Sequence, residues 1–458
     1  MKIAFTTLGC KLNYAETSTY ERGFVSAGWE VVPWTAQADV YLINTCAVTE
    51  TAEKKSRNLI RRAHKTAPEG RIVVTGCYAQ LRKDQLLSIE GVWKVFGATE
   101  KSHLVQDTLA LAEGIAPETV SASLRPLPLP SAAGPSLLSG RGWPEVSGAI
   151  PSSSFSSTQG GQSVREVFGA YSNGEERTRS FLKVQDGCDN FCAYCTVPYA
   201  RGRSRNIPIC EVVKMAENIA AAGVKEVVLT GVNTGDYGRS TGESFLDLLK
   251  ALNQVEGIER YRISSIEPNL ITPEIVDWIA SGTKFQRHFH IPLQSGSDTL
   301  LYRVGRRYDT ALFASRIDYI RQTMDRPGEP QVFFGIDVIV GLPGETEELF
   351  QETYDFLKNR IRPAFIHVFP YSRRPGTRAA QWKDQIKDSV KTERVARLEA
   401  LCEELHAGFI RSNKGLSDTV LWESSVKNGL MGGYTGNYIR VERPYDPARV
   451  NQLEKVEI

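Results

Sequence analysis

Three cysteines within eight residues constrain this chain more than any other feature. Gln185-Asp-Gly-Cys188-Asp-Asn-Phe-Cys192-Ala-Tyr-Cys195 follows directly on the apolar run Phe181-Leu-Lys-Val184. A strand expected over 181–185 leads into a glycine-containing loop, so three thiolates gather at one rim of a domain, close enough to share a single inorganic centre. A structural zinc ion takes four ligands, whereas an iron–sulfur cubane held by three cysteines keeps one iron open to a non-protein ligand. The spacing therefore favours a cluster with a reactive corner over a zinc site or three unrelated buried thiols.

A second set of cysteines needs a topological argument. Over the first 111 residues strands are expected at 3–7, 30–32, 40–43 and 72–75, with helices over 16–27 and 54–64. Such alternation implies a parallel sheet covered by helices. Cys10 follows the first strand in Leu8-Gly-Cys-Lys, Cys46 follows another in Ile43-Asn-Thr-Cys, and Cys77 follows a third in Val74-Thr-Gly-Cys. All C-termini of a parallel sheet share one edge, so these three cysteines are expected to meet as a second three-thiol site. The helix after Cys46 carries Lys54, Lys55, Arg57, Arg61 and Arg62, a run suited to a solvated face or to phosphates.

At 458 residues the chain calls for two or three domains. No apolar run of about eighteen residues suggests a membrane span. Eight cysteines are too few for a disulfide scaffold of this size, and Cys210 and Cys402, in expected helices, receive no role. With 55 basic and 53 acidic residues, the net charge of +2 neither demands nor excludes nucleic acid. The first residues run into a strand pattern without signal-peptide character, so a cytoplasmic location is expected.

Residues 121–172 are rich in Pro, Ser and Gly and read as a linker or insert. Six strands then follow, over 181–185, 226–231, 261–266, 288–293, 333–340 and 365–371, with amphipathic segments between them. This pattern gives an open, partial (β/α)6 barrel whose function sits at the strand C-termini. On that rim Gly231 admits a ligand to the backbone, while Asn233, Glu267, Gln294 and Ser295 offer polar groups for amine, carboxylate or hydroxyl partners. Arg201, Arg203 and Arg205 follow the cysteine loop, and Arg303, Arg306 and Arg307 follow the Gln294 rim. These six are candidates for phosphate or carboxylate contact, with surface salt bridges as the competing reading. The last residues suggest short strands at 419–423 and 437–442 around a glycine-rich stretch, 429–436, expected to turn. There Tyr434, Tyr438 and Arg440 suit either RNA stacking or a small core.

The combined pattern resembles the radical S-adenosylmethionine (SAM) methylthiotransferase family over nearly the whole chain apart from the insert. Thr7-Leu-Gly-Cys-Lys-Leu-Asn13 and the stretch from Gln185 through Cys195 to Gly202 look most like the threonylcarbamoyladenosine branch, called MtaB. Sibling branches usually read Gly-Cys-Gln-Met-Asn or Gly-Cys-Pro-Lys-Asn at the first cysteine. The resemblance implies an α/β chain with a parallel-sheet methylthiotransferase domain (1–120), the insert (121–175), a radical SAM barrel (176–411) and a small all-β, RNA-binding TRAM domain (412–458). It implies one 4Fe-4S cluster on Cys188, Cys192 and Cys195 and an auxiliary one on Cys10, Cys46 and Cys77. SAM would lie among Tyr194, Gly231, Asn233, Glu267, Gln294 and Ser295.

The activity implied is methylthiolation of C2 of N6-threonylcarbamoyladenosine at position 37, in the anticodon stem-loop of tRNA. The enzyme would be a monomer served by an external one-electron reductant. The C2–H bond is unactivated, so no side chain need act as a base. The long insert and the short C-terminal segment depart from the family. The competing readings are a sibling enzyme acting on isopentenyladenosine or ribosomal protein S12, and a non-catalytic two-cluster electron-transfer or RNA-binding protein.

Overall fold

The computed structural model describes residues 1–114, 168–172, 178–239 and 241–458. Its first sheet contains β1 (Lys2–Thr7), β2 (Glu30–Val31), β3 (Val40–Thr45), β4 (Arg71–Gly76) and β5 (Val92–Val95), all parallel, in the order β2-β1-β3-β4-β5. Every residue of β3 is buried, as a central strand covered on both faces requires. β5 was not among the expected strands. It has four residues, mostly half-buried, around Lys94, too short and mixed for a period to show. The connecting helices are α1 (Lys11–Ser26), α2 (Glu50–Thr66), α3 (Cys77–Leu81) and α4 (Lys83–Leu87). Thr49 caps α2 by accepting a hydrogen bond from the Ala52 amide, and Glu50 and Glu53 suit its positive end.

Residues 102–163 form a unit of their own, whose described element is α5 (Leu104–Ala112). The insert expected over 121–175 lies outside the described residues except for 168–172, which run beside the first barrel strand through the Tyr171–Leu182 bridge.

The barrel strands are β6 (Arg179–Lys183), β9 (Glu226–Thr230), β10 (Arg260–Ile263), β11 (His288–Gln294), β12 (Phe333–Val340) and β13 (Phe365–Pro370). They form two parallel ladders, β6-β9-β10 and β11-β12-β13, joined by bridges at Tyr261–Phe285 and Ser265–His290. Between β6 and β9 a two-residue antiparallel pair, β7 (Gln185–Asp186) with β8 (Arg205–Asn206), brackets the cysteine loop, which contains α6 (Val197–Arg201). The crossover helices are α7 (Ile209–Ala221), α8 (Phe245–Asn253), α9 (Pro273–Ala280), α10 (Asp298–Val304), α11 (Thr310–Met324) and α12 (Glu347–Asp355), followed by α13 (Arg378–Gln381) and α14 (Asp388–Asn413).

Alternation along the strands sorts the two faces. Leu182, Val227, Leu229, Phe289, Ile291, Leu293, Ile336 and Val338 pack with helix residues in the main core. Each contributes about 1.5–3 kcal/mol by leaving water. The residues between them, including Lys183, Arg262, His290, Asp337 and His367, face the concave side.

The C-terminal sheet is antiparallel, β14 (Ser417–Lys427), β15 (Leu430–Tyr434), β16 (Arg440–Pro444) and β17 (Leu453–Glu457), in the order β16-β15-β14-β17. Here the glycine-rich stretch is not all turn. Asn428 and Gly429, both left-handed at φ 53° and 76°, make the two-residue hairpin and β15 follows at once. The strand expected from 437 starts at Arg440, because residues 435–439 close a loop around Tyr438. The Tyr438 hydroxyl accepts from Arg179 at 3.1 Å, and its ring lies 4.8 Å from those of Tyr434 and His288. Tyr438 thus seals the sheet against the N-terminal end of the barrel. Among the described residues no helix is long and apolar enough to cross a membrane.

Candidate cluster and cofactor site

Register brings the N-terminal cysteines together. β3 is flanked by β1 and β4, with Asn44 opposite both Thr7 and Thr75, so Cys10, Cys46 and Cys77 leave neighbouring strand ends. Gly9, at φ 106°, lets the first two loops touch: a Cβ there would lie 3.0 Å from Cys46 Cβ and 3.2 Å from its Sγ. Cys46 and Cys77 are buried and Cys10 is exposed. Burial, then the neighbouring Cys77 and Cys10 thiols, push Cys46 up to about 12. Burial also raises Cys77, while Arg201 and Lys101 oppose it. A bound metal's charge inverts that preference and takes such thiols as thiolates.

The barrel cysteines are set by the loop between β7 and β8. The Cys188 amide donates to Gly202 O at 3.0 Å, and Gly187, at φ 73°, sits where a Cβ would fall 1.9 Å from Arg203 O. Cys195 Sγ accepts from the Val197 amide at 3.4 Å, and Cys192 Sγ from Arg306 Nη1 at 3.3 Å. Burial raises Cys188 to about 11 and Cys195 to about 12, and the neighbouring Cys192 thiol adds to both. The thiols of each triplet lie close enough to act on one another's charge, and each set offers three sulfurs where a structural zinc ion takes four ligands. Three thiols fit an iron–sulfur cluster with one iron left open.

A buried charge network joins the two lobes, and sequence reasoning missed it. Glu16 of α1 pairs with Lys101 and Lys183 at 2.8 Å each and with Arg201 at 3.3 Å. Asp186 pairs with Lys183 at 2.7 Å and with Arg201 at 2.9 Å. Burial alone would raise Glu16, but Lys101, Lys183 and Arg201 hold its carboxyl well below the usual range. Arg201 Nη2 also donates to Asn13 Oδ1 at 2.5 Å, and its charge favours the Cys77 and Cys10 thiolates. Beside it, Ala200 packs into the N-terminal core against Cys77 and Tyr78, and α3, which starts at Cys77, lies against α6, which follows Cys195. The available signal was Lys183, a charge inside an apolar strand run.

The expected arginine contacts therefore divide. Arg201 and Arg205 are buried rather than offered to RNA, and Arg205 donates to the carbonyls of Arg201 and Arg203. Arg306 is held by Glu267 at 2.8 Å and by Cys192. Arg303 pairs with Asp384 at 2.6 Å. Arg203 and Arg307 lie at the surface; both reach Asp189, and Arg203 also lies over the Phe191 ring at 5.2 Å. On α2, Lys54, Lys55, Arg61 and Arg62 are exposed.

Of the rim residues, Gly231, Asn233 and Glu267 meet at the cysteine loop, while Gln294, Ser295 and Tyr194 take other partners. Glu267 Oε1 accepts from Asn190, inside the cysteine loop, at 2.8 Å, and the Glu267 amide donates to Asn233 Oδ1 at 3.4 Å. Gln185 Oε1 accepts from the Val232 and Asn233 amides at 2.9 and 3.0 Å, and a Cβ on Gly231 would lie 2.9 Å from the same oxygen. Gln294 is left-handed at φ 69°, where the β11–β12 register shifts, a strain of about 1–3 kcal/mol kept at functional rims. Ser295 Oγ lies 3.2 Å from Thr353 Oγ1. Tyr194 packs with Ala193, Val304, Leu342 and Tyr371 beneath the loop.

Residues 2–97 match the model of an uncharacterized protein family, UPF0004, and residues 182–357 that of the radical SAM superfamily. The chain is 37% identical to the threonylcarbamoyladenosine tRNA methylthiotransferase MtaB of Bacillus subtilis (strain 168), over 100% of this chain and 93% of that protein. Identity to the Aquifex aeolicus (strain VF5) protein of the same name is 35%, over 97% of both chains. The tRNA-2-methylthio-N(6)-dimethylallyladenosine synthase of Geobacter metallireducens is 32% identical, over 99% of this chain and 94% of that one. Among solved structures, the radical SAM methyltransferase TsrM from Kitasatospora setae aligns with a TM-score of 0.54 at 16% identity, covering 83% of this chain and 74% of that one, a likeness of fold.

Proposed function

The chain belongs to the radical SAM methylthiotransferase family, and on that premise we propose that it adds a methylthio group to C2 of N6-threonylcarbamoyladenosine at position 37 of tRNA. When bound, iron–sulfur clusters with SAM supply the one-electron chemistry that opens an unactivated C–H bond. Cys188, Cys192 and Cys195 hold one 4Fe-4S cluster and Cys10, Cys46 and Cys77 a second. Asn233, Gln294, Ser295 and the backbone at Gly231 orient SAM beside Tyr194, while Glu267 and Arg306 fix the cysteine loop. The exposed cations of α2, with Arg203 and Arg307, receive phosphates of the anticodon stem-loop. The reading includes a cytoplasmic monomer and an external one-electron reductant.

One observation carries the two-site reading: the helix that begins at Cys77 rests on the helix that follows Cys195, with Arg201 tied across the junction. The test is anaerobic reconstitution with iron and sulfide, followed by mass spectrometry of tRNA nucleosides after incubation with SAM and a reductant. About eight irons per chain and 2-methylthio-N6-threonylcarbamoyladenosine are expected. Product only on isopentenyladenosine, or none on any tRNA, sinks the proposal.

A further inference from the structure

The buried arginines nearest the cysteine loops, Arg201, Arg205 and Arg306, are committed to protein partners, which leaves open what receives the carboxylate at the end of the proposed substrate's N6 side chain. Helix α1 supplies a cation that is not committed. Lys11, Ala15 and Thr19 share one face of α1 at i, i+4 and i+8. Ala15 packs on Phe181 and Val228, on the concave side of the barrel strands, and Thr19 bonds Tyr171 at 3.1 and 3.2 Å. Lys11 therefore projects over the same concave face. Its ionisable neighbours there are Tyr438, Arg179, Asp337 and Arg262. Lys11 makes no hydrogen bond or ion pair with any described residue.

On the far wall, His290, Asp337 and His367 stand on adjacent strands with their ligand atoms within 4.8 Å of one another. His290 Nε2 lies 2.7 Å from Asp337 Oδ1, and the two imidazoles stack at 4.9 Å. His290 Nδ1 and both nitrogens of His367 have no hydrogen-bond partner among the described residues. This donor set could attract a dication, but the surrounding charge argues against one. Arg179, Arg260 and Arg262 face Glu226 at 3.9, 2.5 and 2.8 Å, with Glu423 a second partner of Arg179 at 3.0 Å, and Lys11 adds a further positive charge beside Asp337. Burial lowers His367 to about 4 and keeps its ring neutral, and His290 turns Nε2 to Asp337, so the donors left for an anion are the Lys11 ammonium and one N–H of His367.

We propose that Lys11 and His367, with His290 held behind them by Asp337, form the seat of the substrate's carboxylate, a positioning role that rests on the function proposed above. Lys11 directly follows Cys10, so an anion held there lies one residue from the N-terminal thiol set. The seat thereby couples recognition of the modified side chain to placement of its base.

The test compares two anticodon stem-loop RNAs, one carrying threonylcarbamoyladenosine and the other its neutral carboxamide, bound to the reconstituted protein. Wild type should bind the acid about 10- to 100-fold tighter than the amide. Lys11→Met should reduce that ratio to near one, and Lys11→Arg should restore most of it. An unchanged ratio in Lys11→Met, or a wild type that binds both RNAs alike, overturns the proposal. Should Lys11→Met fail to retain iron, His367→Ala, away from both thiol sets, decides instead: a reduced ratio supports the seat and an unchanged one overturns it. A wild type that methylthiolates acid and amide equally well loses the seat but keeps the function. One that modifies neither loses the function.

Discussion

The two cysteine triplets are assembled by opposite routes. The barrel site is local: three cysteines in one loop, pinched by the β7–β8 pair and by Gly187, needing little from the rest of the fold. The N-terminal site is topological: its three cysteines lie tens of residues apart and meet only because β1, β3 and β4 are parallel neighbours. A local site survives as long as its loop does. A topological one depends on sheet register and on whatever pins the sheet, here the knot of Glu16, Lys101, Lys183, Asp186 and Arg201.

Cysteine replacement separates the two sites most sharply. Cys192→Ala should halve the iron content, to about four per chain, and abolish release of 5′-deoxyadenosine. Cys46→Ala should cost the same iron, keep that release, and yield no methylthiolated nucleoside. Equal behaviour of the two variants would erase the distinction.

Glu16→Ala comes next. It leaves buried cations without their partner, at about 3–5 kcal/mol, so urea should release iron from the N-terminal set before the barrel set. Simultaneous release would show that the network does not favour one site.

A pH experiment probes ground away from both sets. Burial would raise Glu226, but Arg262, Arg260 and Arg179 outweigh it and hold the carboxyl at about 2 against an ordinary 4.5. Because the folded value is depressed, the stabilisation is full above about pH 4.5 and is lost as pH falls towards 2, a total of about 3 kcal/mol. Urea midpoints of wild type and Glu226→Gln should therefore converge at the acid end and separate above it, with both sites affected alike.

The smallest effect belongs to a cysteine outside either set. Exposed Cys210 replaced by Ser should shift stability by no more than about 0.5 kcal/mol and leave the iron count unchanged.

Much of this architecture was legible because it rests on local signals. Apolar runs marked all six barrel strands, and the position of each N-terminal cysteine after a strand was enough to place it at a common edge. The missed β15 shows a weakness of composition: glycines at 429, 432, 433 and 436 read as turns, yet only Asn428-Gly429 and Gly436-Asn437 turn, and Gly432 and Gly433 lie in the strand. Arg201, Arg205 and Arg306 were expected to meet phosphate or carboxylate because they follow the cysteine loop and the Gln294 rim. Their burial depends on partners that spacing cannot reveal, Glu16 lying 185 residues from Arg201. Lys11 shows the reverse, an ordinary lysine in a loop motif whose helix face aims it across the barrel.

The knot between α1 and the barrel also bears on how a nucleic acid gains access. Prising the lobes apart would strand five charges in a low-dielectric seam, a cost that opposes widening between them. Adaptation would then fall to the visitor, an unpaired loop nucleotide whose base can leave the stack more cheaply than the seam can open.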